Sequence, residues 1–315
     1  MASVVRTVLG DIEPSRLGRT DYHEHLIQVT RLLPYDRLDD VERSAQEAAA
    51  LRDAGMDALI ELTPIGLNRD PAGVRAIAER SGMHVVLATG IHREAHYEAD
   101  HALRQLDEQS LSTRFIRELT DAVDANDSGV GEAQLLDGVR AGVIKTGAGY
   151  WSISAFERRV LSAAAAAQAA TGAAVVCHLE HGTAAWEVVE LLTSAGASAD
   201  RIVLAHMDRN PDPGLHAELA AAGLYLGYDG MARAKYWPDS VILDCLLEVV
   251  ERGGGSRLLL GGDVARRSSF RSYGGLPGMA YLPVRFVPRL EQAAGADLVE
   301  EILVRNPARV FAMPV

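Results

Sequence analysis

The chain has 315 residues, 48% of them hydrophobic and 23% charged, enough to bury a large core without disulfides or a structural metal. Its formal charge of −12 argues against nucleic acid or an anionic membrane as the main partner. Cys177 and Cys245 offer no disulfide framework and fit a reducing, cytoplasmic compartment, and neither a secretory leader nor an apolar run of about eighteen residues is evident.

Short apolar runs of β type alternate along the chain with amphipathic stretches. Candidate strands cover 20–25, 57–63, 84–91, 141–146, 174–179, 201–206, 224–229 and 257–263. Helices are predicted between them, most clearly over 40–54 and 155–170. Pro71 and Pro238 sit where helices would begin, and Gly55, Gly82, Gly172 and Gly223 where they would stop. Eight strands alternating with helices in this length predict one (β/α)8 barrel spanning 1–315. An open doubly wound sheet is the weaker alternative, because no Gly-x-Gly-x-x-Gly turn follows the first strand.

Barrel enzymes place their chemistry at the C-terminal ends of the strands, and several predicted strands here end on polar groups. His23 and His25 close the first as His-Glu-His; strand alternation turns both to one side and Glu24 away. Lys145 closes the fourth, His178 the fifth, His206 the sixth and Asp263 the eighth. A single histidine after a strand is more often structural, but this many polar strand ends point to metal ligation. Imidazole and carboxylate donors suit zinc, manganese, cobalt or iron. Of the other histidines, His92 is placed to line the pocket and His181 to stand behind a ligand. His84 reads as structural, and His101 and His216 as exposed.

Lysine and arginine total 31, of which only Lys145 and Lys235 are lysine. Where arginine supplies almost all positive charge, a surviving lysine is a candidate for work that needs a removable proton. Burial in an apolar strand would favour the neutral amine of Lys145, which can take up carbon dioxide as a carbamate able to bridge two metals.

The motifs at 20–26, 145–147, 178–182, 206–210 and 261–263 together resemble the phosphotriesterase-related branch of the amidohydrolase superfamily. The resemblance implies two divalent metals. His23, His25 and Asp263 would hold the more buried one, His178 and His206 the more exposed one, and carboxylated Lys145 would bridge them together with a hydroxide. It further implies hydrolysis by that hydroxide, with Asp263 carrying the proton to the leaving group, and a homodimer. Within the branch, 228–239 and 265–277 look most like the lactonases of phosphorylated sugars. Lys235 and Arg266 stand at that group's phosphate-holding positions, and Ser269 stands where it carries a tyrosine. Arg267 and Arg271 would add cations over the mouth, favouring an anionic small-molecule substrate. The competing readings are an organophosphate triesterase or an acyl-homoserine lactonase on the same centre, a mononuclear deaminase-type enzyme, and a non-catalytic binding protein. Gly230, where the triesterases carry a relay histidine, speaks against the first of these.

Overall fold

A small antiparallel hairpin, β1 (Ser3–Thr7) and β2 (Gly10–Ile12), precedes eight consecutively parallel strands in the computed structural model, which describes residues 3–128, 131–233 and 235–315. The eight are β3 (Thr20–Glu24), β4 (Ala58–Glu61), β5 (His84–Gly90), β6 (Val143–Ala148), β7 (Ala174–Leu179), β8 (Ile202–Ala205), β9 (Tyr225–Tyr228) and β10 (Leu258–Leu260). Each pairs with its chain neighbours, and a helix follows each. These are α1 (Val41–Asp53), α2 (Pro71–Ser81), α3 (Glu108–Thr120), α4 (Ala155–Thr171), α5 (Ala185–Ser194), α6 (Pro213–Ala221), α7 (Asp239–Glu251) and α8 (Val287–Ala294). The architecture is a (β/α)8 barrel, and every predicted strand has its counterpart.

Local signals explain the helix ends. The Asp40 carboxylate caps α1, Asp70 caps α2 ahead of Pro71, and Ser154 with Glu157 forms a capping box on α4. Gly82 and Gly172 end α2 and α4 in the left-handed conformation. The sequence reading did not foresee the outer three-stranded sheet, in which β11 (Ala312–Pro314) pairs with β1. Its strands are too short to show periodicity. Val5, Leu17, Val310 and Phe311 join the apolar cluster that fills the barrel, which includes Ile60, Val86, Val143, Val176, Val203 and Leu259. A second, larger cluster lies between the strands and the helices. The described residues include no helix long and apolar enough to cross a membrane.

Two irregularities on β3 shape the mouth. The register against β4 shifts between Asp21 and Glu24, a bulge that lets Tyr22 and His23 both face inward. Across from it, β10 and β3 form no regular ladder. The Asp263 N–H donates to the His23 carbonyl at 2.7 Å, Gly262 N–H to Asp21 Oδ1 at 3.2 Å, and Val264 N–H to Glu24 Oε2 at 2.9 Å. Gly261 and Gly262 permit this approach, since a Cβ at Gly262 would lie 2.2 Å from Glu24 Oε1. Glu24 points away from the mouth, as alternation predicts, and seals the barrel seam.

Candidate metal centre

His23, His25, Lys145, His178, His206 and Asp263 converge at the mouth, each less than a tenth exposed. Strand ends bring them there. His206 and Asp263 follow the last residues of β8 and β10 with positive φ of 66° and 44°, a conformation that side-chain-bearing residues rarely hold outside sites where it is enforced.

Each of the four imidazoles is held by its outer nitrogen. His23 Nδ1 meets Asp229 Oδ2 at 2.9 Å, and His206 Nδ1 meets Asp229 Oδ1 at 2.6 Å. His178 Nε2 meets Glu180 Oε2 at 2.8 Å. His25 Nδ1 meets Thr63 Oγ1 at 2.9 Å, and that hydroxyl donates in turn to Glu61 Oε1 at 2.7 Å. The partner in every case is an acceptor, or a hydroxyl whose own proton is committed, so each outer nitrogen carries the proton. The inward nitrogens, Nε2 of His23, His25 and His206 and Nδ1 of His178, therefore present lone pairs. Burial keeps the rings of His23, His206 and His178 neutral: the pKa of His23 falls to about 3, that of His206 to about 4, and that of His178 well below the ordinary imidazole value.

This donor set fits cations. His178 Nδ1 and His206 Nε2 lie 2.7 Å apart, two acceptors facing one another with no proton between them. Asp263 Oδ1 lies 3.4 Å from His25 Nε2 and 3.6 Å from His23 Nε2, so these three groups also gather around one point. Asp229 falls within reach of His23 and His206 as well, but it grips their outer nitrogens and so orients ligands. Lys145 Nζ lies 3.3 Å from His23 Nε2 and, among the described residues, has no carboxylate within salt-bridge distance. Burial lowers its pKa from 10.5 to about 8, which makes the neutral amine accessible.

Several site residues were not singled out from sequence. Asp229 stands directly after β9, and burial would lift its pKa were it not for His206 and His23, which hold it well below the usual carboxylate range. Tyr22 donates its hydroxyl to Asp229 from beneath. Arg209 and Arg233 grip Asp263 Oδ2 at 2.9 and 2.8 Å, leaving Oδ1 to face the histidines. Asp208 accepts the N–H groups of Asp229 and Gly230 at 3.1 and 2.7 Å and fixes the turn after β9.

The sequence profile of the phosphotriesterase family matches residues 3–311. The chain belongs to the phosphotriesterase family. It is 31% identical to a phospho-furanose lactonase of Mycoplasmopsis synoviae over 98% of this chain and 91% of that one. Among solved structures, an amidohydrolase from Mycoplasma synoviae superposes with a TM-score of 0.95 at 30% identity, covering 99% of this chain and 93% of its own. A lactonase from Listeria monocytogenes superposes at 0.88 with 29% identity, covering 98% and 99%.

In this phosphotriesterase-family chain the mouth opens into a cavity of about 570 Å³. His92, Lys235 and Arg266 line it, as the sequence reading expects, together with Arg209, Arg233 and Ser269. His92 Nδ1 accepts the Arg93 N–H at 2.7 Å, and its ring lies 4.7 Å from that of His178. Lys235 rests over the Tyr236 ring at 4.6 Å, and the Arg266 guanidinium meets Asp36 at 3.9 Å. Arg267 is not among the residues lining the cavity. Its guanidinium lies over the Tyr273 ring at 4.8 Å, with Arg43 at 4.9 Å from the same ring. Arg271 likewise turns aside, donating to the Pro277 carbonyl at 2.9 Å. His181 is exposed beside Glu180, 3.6 Å away, rather than behind a ligand. His216, expected at the surface, is fully buried with Nδ1 2.6 Å from the Tyr228 hydroxyl, because its helix turns that residue onto β9.

Proposed function

We propose that this protein is a cytoplasmic, binuclear metal-dependent lactonase, acting as a homodimer of one-domain chains on a sugar lactone that carries a phosphate. The observation that carries the reading is the convergence of four inward imidazole nitrogens with Asp263 and Lys145 beneath a cavity whose edge carries the exposed cations Lys235 and Arg266. The phospho-furanose lactonase name of a 31% identical relative and the lactonase among the structural neighbours support the choice of a lactone.

In this reading His23, His25 and Asp263 would hold one divalent metal and His178 and His206 the other, and the carbamate of Lys145 would supply a further anionic ligand to the pair. Zinc is the first choice on donor chemistry, with manganese, cobalt and iron also suited. Bound there, the metals supply Lewis acidity toward the lactone carbonyl and a water acidified to near-neutral pKa.

The chain's own residues do the rest. Asp229 and Glu180 hold the ligand histidines in one tautomer, so their inward lone pairs stay available. Arg209 and Arg233 immobilise Asp263 by one carboxylate oxygen. From that position Asp263 takes the proton of the attacking water and delivers it to the departing ring oxygen. Lys235 and Arg266 anchor the phosphate, and His92 lies against the substrate's flank. Ser269 stands beside the two cations on the cavity wall and offers only a short hydroxyl there.

The test is a matched substrate panel on metal- and bicarbonate-loaded protein, with metal content measured alongside. It holds sugar lactones with and without phosphate, an acyl-homoserine lactone and an aryl phosphotriester. Two metals per chain and a preference for phosphorylated lactones that Lys235→Ala and Arg266→Ala abolish would uphold the reading. A preference for the acyl lactone or the triester would replace the substrate assignment. Two metals retained by Lys145→Arg would refute the carbamate ligand.

A further inference from the structure

A second cavity, of about 690 Å³, lies beside the first and shares Arg93, Glu180 and Arg209 with it as a common wall. Its far side is aromatic. Tyr150 and Trp151 are 60% and 63% exposed, and His181 lies edge-on to Tyr150 with ring centres 5.7 Å apart. Such exposure of large rings beside a catalytic mouth is costly in water unless something covers them.

The backbone is constrained to present them. Trp151 and His181 both hold left-handed conformations, with φ of 47° and 55°, which side-chain-bearing residues adopt only where the surroundings enforce it. The enforcement is visible at Trp151, whose N–H donates to Thr183 Oγ1 at 3.2 Å within a turn closed by the Gly149–Ser152 bridge.

The charges on the shared wall are already paired. Arg93 meets Glu180 at 2.9 Å and Arg209 meets Asp263 at 2.9 Å. The cavity therefore offers ring faces and the neutral amide of Asn210, in contrast to Lys235 and Arg266 across the mouth. Ring faces flanked by neutral polar groups suit the C–H faces and hydroxyls of a sugar.

We propose that this side cavity is a subsite for a neutral hydroxylated ring, a sugar unit joined to the group hydrolysed in the mouth. The attachment rests on the lactonase reading above; the ring site itself does not.

The experiment keeps the two apart by measuring binding and turnover on the full metal-loaded chain. Calorimetric titration with maltose probes the ring site, and inorganic phosphate probes the mouth. Trp151→Ala is expected to weaken maltose about tenfold, the size of one aromatic contact, with phosphate binding unchanged. Trp151→Phe, which keeps a ring, should recover most of the loss, and Lys235→Ala should weaken phosphate alone. Turnover then compares maltobionolactone with gluconolactone; the ratio of their kcat/KM should exceed one in the parent and collapse in Trp151→Ala.

Maltose that fails to bind at about 10 mM, or binds Trp151→Ala as well as the parent, overturns the subsite. So does a Trp151→Ala variant that changes only the oligomeric state, which would assign the rings to a second copy of the chain. If maltose binding depends on Trp151 but neither these lactones nor the phosphorylated lactones of the panel are hydrolysed, the ring site stands and the lactonase reading fails; hydrolysis of the phosphorylated lactones alone overturns the attachment. Hydrolysis of both lactones with a ratio of one refutes the attachment.

Discussion

The floor of the cavity and its rim are built on opposite principles. On the floor each inward-facing imidazole is fixed by a hydrogen bond on its far nitrogen, and one carboxylate, Asp229, serves two of them together with Tyr22. The rim cations Lys235 and Arg266 are exposed, and their contacts are a ring face and one acid at 3.9 Å. On the proposed reading, groups that would hold donor atoms in place are over-determined, whereas groups that would choose among substrates are left free to move and to change.

The largest expected effect lies on the floor. Asp263→Asn should lower turnover about a thousandfold, the range for losing a general base, while much of the bound metal remains. Kinetics paired with metal analysis checks this, and near-normal turnover at full metal content would remove Asp263 from proton transfer. Asp229→Asn should weaken metal retention roughly 10- to 100-fold, because it loosens His23 and His206 together; competition with a chelator measures it.

Rim substitutions should be milder. Lys235→Ala should lower kcat/KM for a phosphorylated lactone about tenfold, as for one charge-assisted hydrogen bond, and leave an unphosphorylated analogue unaffected. Arg267→Ala should change kcat/KM by less than about twofold, since its guanidinium is occupied by Tyr273 outside the cavity. A large loss there would show that the loop rearranges when substrate binds.

A pH experiment sharpens the same contrast. Burial brings the Lys145 amine down from 10.5 to about 8, so its neutral, carbamate-forming state is populated from about pH 8 upward instead of above 10. Uptake of 13C-bicarbonate by metal-free protein, followed by NMR, should rise between roughly pH 7 and 9 and level off beyond. A flat profile would contradict that assignment.

The floor was largely legible in sequence because barrel strands end where chemistry begins. A polar residue closing an apolar run, as at Lys145, His178 and Asp263, stands out against Val-Ile, Val-Val and Leu-Leu neighbours. Asp229 closes the predicted seventh strand in the same way. Yet an aspartate before glycine also reads as an ordinary turn, so its grip on two histidines on other strands had no local sign. The bulge at Tyr22 and His23 was equally silent, because it arises from pairing with β4 and the close approach of β10. Arg209 and Arg233 were hidden among the many arginines, and only their convergence on Asp263 distinguishes them. On the rim, charge alone placed Arg267 and Arg271 over the mouth; a neighbouring ring and a backbone carbonyl claimed them instead.

The scarcity of lysine has a practical consequence. Of the chain's two lysines, Lys145 is fully buried beneath the cavity against His23, and Lys235 lines the cavity's exposed edge. Apart from the chain's own amino terminus, amine-directed chemistry therefore meets this protein only at its working mouth. A fluorophore or affinity handle coupled through Lys235 would report occupancy of the cavity without a cysteine being introduced. Attachment to an amine-reactive support would, for the same reason, turn the opening toward the surface and close it.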